Sequence, residues 1–174
     1  MNLCTLAYPE LSTKDYQRIQ DFRKHNDVYY PVVEPHFTLI FPSTDWELVP
    51  YSAEIKKQII GFQPFDFCIR CAVPDKDAFQ DLYHAFLVPD DGYAQIAKLH
   101  FSLCADRFFE LASLEVDFIP HLGIGNSPDP LRCYEMVASW NCEDFVISGR
   151  ISALDISNYE NETVTTLRHI PLGN

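Results

Sequence analysis

Two histidines are set apart by their neighbours. Pro35-His36-Phe37-Thr38-Leu39-Ile40 and Pro120-His121-Leu122-Gly123-Ile124-Gly125 each place Pro-His ahead of an alternating apolar run, and they lie about half a chain apart. On a strand, residues two apart share a face. Phe37, Leu39 and Phe41 then face a core, while His36 and Thr38 share the other side. In the second copy Leu122 and Ile124 face the core, and His121 shares the other side with Gly123. Imidazoles titrate near neutral pH. Two of them across a cleft suit acid–base chemistry, one taking a proton from a nucleophile and the other giving one to a leaving group. Alone, either histidine reads as a strand residue satisfied by the backbone; the duplication makes the pair functional.

Other residues read more plainly. His25, His84, His100 and His169 read as structural, His25 at an exposed helix end and His84 and His100 inside apolar elements. Cys68-Ile69-Arg70-Cys71 is a CxxC without a second copy, and on a strand its sulfurs point to opposite faces, so neither zinc nor redox use is expected. Tyr29 and Tyr30, just ahead of the first motif, are candidates to stack on a base, beside simple loop packing. Arg70, Arg150 and Arg168 lie on predicted strands and are candidate sources of positive charge. No Gly-rich phosphate loop, Ser–His–Asp order or paired-carboxylate motif stands out.

The elements that must position these residues follow from periodicity and turn chemistry. Strands are expected over residues 3–8, 35–41, 65–73, 79–88, 116–124, 145–156 and 162–170. Helices are expected from Ser12, as N-cap, to about Lys24, then over 51–60, 92–108 and 129–140. A Gly, Asn, Ser and Pro-rich turn is expected after Ile124. Strand–helix–strand order recurs in the two halves, which argues for an α+β domain. An approximate two-fold axis between halves would bring both histidine faces to one cleft.

Composition narrows the classes. The chain has 174 residues, enough for one domain with a sizeable core, with 47% hydrophobic residues. No apolar run approaches the roughly 20 residues needed to span a bilayer, and the N-terminus does not read as a signal peptide. The six Cys are scattered among apolar neighbours and read as reduced thiols, so a cytoplasmic location is expected and the Asn161-Glu162-Thr163 sequon is incidental. A net charge of −12 counts against long nucleic acid, whose affinity comes from Lys and Arg on phosphates.

The doubled histidine motif resembles the two-histidine phosphoesterase superfamily, which includes 2′–5′ RNA ligase-like proteins and cyclic nucleotide phosphodiesterases. The resemblance spans most of the chain in motif spacing and element order. It implies a bilobal α+β sandwich with pseudo-two-fold symmetry, antiparallel sheets lining a central groove, helices packed outside, and one histidine motif from each lobe of a single domain covering 1–174. It implies opening of a 2′,3′-cyclic phosphate or related phosphodiester of a small nucleotide or short RNA end, by a monomer, with no metal or organic cofactor. His36 and His121 would be the acid–base pair, and Thr38 would hydrogen-bond a phosphoryl oxygen. Gly123 departs from the pattern, because Thr or Ser is usual there, and a phosphate donor is lost. Two rivals remain: a nucleotide- or RNA-binding module of the same fold without turnover, and an acyl or lipid-linked phosphoester hydrolase.

Overall fold

The computed structural model describes residues 1–112 and 116–173. Among these residues nine strands and four helices alternate: β1 (Leu3–Ala7), β2 (Glu10–Leu11), α1 (Thr13–Asn26), β3 (Phe37–Ser43), α2 (Leu48–Gln58), β4 (Phe65–Lys76), β5 (Tyr83–Asp91), α3 (Tyr93–Leu103), β6 (Leu122–Ser127), α4 (Pro130–Asn141), β7 (Ile147–Ile151), β8 (Ala153–Glu160) and β9 (Thr163–Pro171). A short 3₁₀ helix spans Asp106–Leu111.

The helices start where local chemistry sets them. Ser12 Oγ accepts from the Asp15 amide at 3.1 Å, satisfying one of the free N–H groups of the first turn of α1. Asp129 caps α4 through the Leu131 amide at 2.9 Å, with Pro130 in the first helical position, where its missing N–H costs nothing. Gly92 begins α3 with a φ of +84°; a Cβ there would lie 2.6 Å from that of Phe67, so only glycine fits.

Two antiparallel sheets result, in orders β3-β1-β8-β9 and β2-β7-β4-β5-β6. On the first, α3 packs against β3 and α2 against α3; on the second, α1 packs on β6 and α4 on β4, β5 and β6. The architecture is therefore the α+β sandwich of two sheets with helices outside. The apolar core runs through both sheets, and Phe37 of β3 meets Phe67 of β4 edge-to-face at 5.1 Å between ring centroids.

Some expectations change in the structure. The segment expected to be one strand over 145–156 is two: β7 belongs to the second sheet, the chain turns at Ser152, and β8 joins the first. Strand β6 begins at Leu122 rather than Val116, and Gly125-Asn126-Ser127 continues it instead of forming a turn. Phe41, expected in the core, is not there. The β1–β3 ladder shifts register twice, between Leu6↔Thr38, Thr5↔Ile40 and Leu3↔Ser43, and these irregularities disturb the alternation. Phe41 is exposed as a result and lies beside Ile40 on the cleft side.

Candidate active site

Each histidine is held by the same local device. In Glu34-Pro35-His36, the His36 Nδ1–H donates to the Glu34 carbonyl at 2.7 Å. In Ile119-Pro120-His121, the His121 Nδ1–H donates to the Ile119 carbonyl at 2.6 Å. Proline fixes its own φ and pushes the residue before it toward extended backbone, so the carbonyl two positions back is presented to the ring. With Nδ1 spent on the backbone, the neutral tautomer carries its lone pair on Nε2. His36 Nε2 lies 3.1 Å from Thr38 Oγ1, whose hydroxyl donates to it in that tautomer. No described residue is hydrogen-bonded to His121 Nε2.

His36 precedes β3 of one sheet and His121 precedes β6 of the other, and both line one cavity of about 390 Å³. Thr38, Gly123 and Tyr29 line it too; Tyr30 is half-buried outside it. Gly123 leaves room: a Cβ built there meets nothing within 4 Å. The expected cations are elsewhere. Arg70 pairs with Asp90 and Asp91, Arg150 pairs with Asp66, and Arg168 donates to the Leu167 carbonyl, all on the exposed surface away from the cavity.

The first histidine is braced by a buried ion pair. Arg23 Nε lies 2.8 Å from Asp27 Oδ2, and its other nitrogens donate to Gln20 Oε1 and to the Tyr29 and Val33 carbonyls. Asp27 Oδ1 accepts from Asn126 Nδ2 of β6 at 2.7 Å, so one carboxylate ties the loop before His36 to the strand that follows His121. Glu34 is held in turn by Gln20 and Tyr16.

Sequence reading missed two histidines that line the same cavity. His84 Nε2 lies 2.7 Å from Asp77 Oδ2, while Asp77 Oδ1 accepts the Phe79 and Gln80 amides at 2.7 Å each. The ring of Phe86 lies between those of His84 and His121, at centroid distances of 5.3 and 3.6 Å and nearly parallel to both. Burial pushes the Asp77 carboxyl up, but the His84 bond and the two amides outweigh it and hold the group below the usual carboxylate range. The signal available was a hairpin whose turn places Asp77 near His84. His100 of α3 donates through Nδ1 to the Leu39 carbonyl at 2.8 Å and stacks on Phe118 at 3.7 Å.

The electrostatics act on both motif histidines in the same direction. Burial pushes His121 down to about 4, helped by repulsion from His36 and His84 and opposed by the Ile119 carbonyl. His36 is also lowered, first by burial and then by the Arg23 guanidinium, against its bond to Glu34 and the charge of Asp27. Two imidazoles across one cleft can move a proton in from one side and out to the other. Among the described residues, no group of three or more His, Cys, Asp and Glu side chains stands together as metal ligands do.

A family model described as the 2′-5′ RNA ligase superfamily matches residues 9–163. No curated protein matches the chain in sequence. Solved structures share the fold. TT0787 of Thermus thermophilus aligns at 12% identity over 99% of this chain and 98% of its own, with a TM-score of 0.61. Usb1 of Kluyveromyces marxianus aligns at 11% identity over 98% of each chain, TM-score 0.59. LigT of E. coli complexed with ATP aligns at 13% identity over 99% of this chain and 98% of its own, TM-score 0.56.

Proposed function

The chain belongs to the 2′-5′ RNA ligase superfamily, and from that premise we propose that it is a phosphodiesterase opening a 2′,3′-cyclic phosphate on a small nucleotide or short RNA end. The observation that carries the reading is the pair of imidazoles in one cavity, each with Nδ1 bonded to a backbone carbonyl, the Nε2 of His36 meeting Thr38 and that of His121 hydrogen-bonded to no described residue. A nucleotide ligand accords with E. coli LigT, which has been crystallised with ATP and with 3′-AMP.

The asymmetry of the pair at Nε2 assigns roles. His121, whose Nε2 is hydrogen-bonded to no described residue while that of His36 meets Thr38, is the base. It takes a proton from water as the water oxygen bonds to phosphorus. His36, protonated at Nε2, gives its proton to the ribose oxygen as the phosphorus–oxygen bond to that oxygen breaks. The product is a phosphomonoester, and the pair resets by losing one proton from His121 and gaining one at His36. With a ribose hydroxyl in place of water as the attacking group, the same steps open the cyclic phosphate into a phosphodiester that joins two ends, the hydroxyl proton going to His121 and the His36 proton to the departing ribose oxygen. Thr38 holds the His36 ring in line and, once Nε2 is protonated, is free to turn its hydroxyl to a phosphoryl oxygen. On this reading the protein acts as a cytoplasmic monomer, and its charge of −12 favours a small ligand over long structured RNA.

The test is hydrolysis of 2′,3′-cyclic mononucleotides with EDTA present, comparing the wild type with His36→Ala and His121→Ala. Each substitution is expected to lower turnover by about 10²–10⁴-fold. Turnover within tenfold of wild type in either variant refutes the pair. A second reading, a binding module of the same fold, is favoured by the missing hydroxyl at Gly123; it predicts that the wild type binds the cyclic nucleotide and leaves it intact.

A further inference from the structure

Resting on the phosphodiesterase reading, we propose that His84, oriented by Asp77, is a specificity residue that binds the phosphodiester next to the reacting one, so that the preferred substrate is an RNA 3′ end of two or more nucleotides rather than a mononucleotide.

The argument begins with what the cavity lacks. A phosphate-binding site needs a donor with charge behind it. Of the two long cations among the described residues lining this cavity, one is consumed and the other is held at the exposed rim. Arg23 is consumed by Asp27, Gln20 and two carbonyls. Lys76 is paired with Asp81 and the Gln80 carbonyl. His100 donates Nδ1 to a carbonyl, and burial lowers its affinity for a proton. His84 differs from His100 in having a carboxylate behind its ring, and from the two cations in having a ring nitrogen left over. Its Nε2 is anchored on a carboxylate that two backbone amides hold in place, and no described residue is hydrogen-bonded to its Nδ1. The side chains of His84 and Asp77 are 14% and 13% exposed, so the pair is shielded but reachable from the cavity. When the ring takes up a proton it donates at both nitrogens, one to Asp77 and the other to a ligand oxygen.

Position decides which phosphate this is. His84 and Phe86 share a face of β5, and Phe86 pairs with Gly123 in the β5–β6 ladder. The His84 ring lies two ring spacings from His121, with Phe86 between, at 5.3 and 3.6 Å. A phosphorus atom attacked beside His121 Nε2 therefore lies beyond the ring plane that His84 serves. The group that reaches His84 is the neighbouring one along the chain, with the Phe86 wall and the open space at Gly123 beneath the nucleotide that joins them.

The experiment compares adenosine 2′,3′-cyclic phosphate with the dinucleotide ApA 2′,3′-cyclic phosphate, which adds one phosphodiester. The wild type is expected to prefer the dinucleotide in kcat/KM. His84→Gln is expected to reduce that preference about tenfold, with the loss in KM rather than kcat. Asp77→Asn, which keeps the ring but removes the carboxylate, is expected to reduce it about threefold or more. A loss of folding or of cavity shape lowers both substrates alike and leaves the ratio unchanged; that outcome, or an unchanged ratio with normal rates, overturns the proposal while the phosphodiesterase reading stands. If neither compound is turned over, that reading fails, and the ratio of the two binding affinities by calorimetry decides the His84 assignment in the same way. Failure to bind either compound overturns both.

Discussion

The depressed proton affinity of His121 makes a prediction about stability as well as rate. The ring belongs at 6.5 in the unfolded chain and at about 4 in the native state. Above pH 6.5 both states are neutral, and the group contributes nothing to the pH dependence. As pH falls below 6.5 the unfolded chain takes up its proton first, so native stability drops until the native ring is protonated near pH 4. At 1.36 kcal/mol per unit the full loss is about 3 kcal/mol, a large part of the roughly 5–15 kcal/mol typical of a domain. His36 and His100 are shifted in the same direction, so the wild type should lose still more. His121→Asn isolates the contribution, because Asn can still donate to the Ile119 carbonyl but cannot titrate. Urea unfolding of both proteins between pH 7 and pH 4 should show the gap between them change by about 3 kcal/mol, the wild type losing more. A gap that stays within about 1 kcal/mol across that range refutes the claim that burial governs this ring. The kinetic counterpart is a kcat/KM profile displaced to the acid side of neutrality, because both rings of the pair hold a proton less tightly than a free imidazole.

Two further outcomes test the geometry. Gly123→Thr restores the hydroxyl usual at that position into open space, so it should raise stability by about 1 kcal/mol through loss of strand glycine and raise kcat/KM roughly tenfold through one more donor to the phosphate; a lowered Tm would show that the space is filled. Pro120→Ala leaves His121 in place but frees the backbone that aims the Ile119 carbonyl, and should change stability by less than about 1 kcal/mol while kcat/KM falls several-fold, measured on the same cyclic substrate.

How much of this was legible in the sequence differs from element to element. The two Pro-His strands could be read because strand alternation and Pro both leave local marks, and residues 37–40 and 122–124 need no tertiary information to be recognised. The start of β6 could not. Val116-Asp117-Phe118-Ile119 alternates like a strand, yet Val116–Ile119 runs without a ladder partner up to Pro120. Gly125-Asn126-Ser127 has turn composition, but the glycine is there for packing: a Cβ at 125 would lie 2.7 Å from Met136 Sδ and 3.1 Å from the Asn26 carbonyl, where α4 and α1 press on the sheet. Ser152 carries no breaker signal, so a strand that changes sheets looked continuous. His84 was invisible as a site residue because its meaning comes from Asp77, which only the closed hairpin brings to 2.7 Å.

The interleaving of the sheets bears on the order in which this protein can be made. The strand that follows His36 is paired only through β1, and β1 is paired on its other edge by β8, which β9 then covers. Those closing strands leave the ribosome after all the others. The His121 sheet has β2 from the opening of the chain at one edge, yet β2 is joined to it only through β7, which is also late. Neither sheet can therefore be completed until β7 and β8 are made, although β1 with β3 and β4 with β5 and β6 can pair earlier. Pairings of such long sequence separation are slow to find, so the nascent chain carries the exposed edges of β1 and β4 for most of its elongation. Until β7 and β8 are made, those edges are the part of the chain most open to pairing with another one.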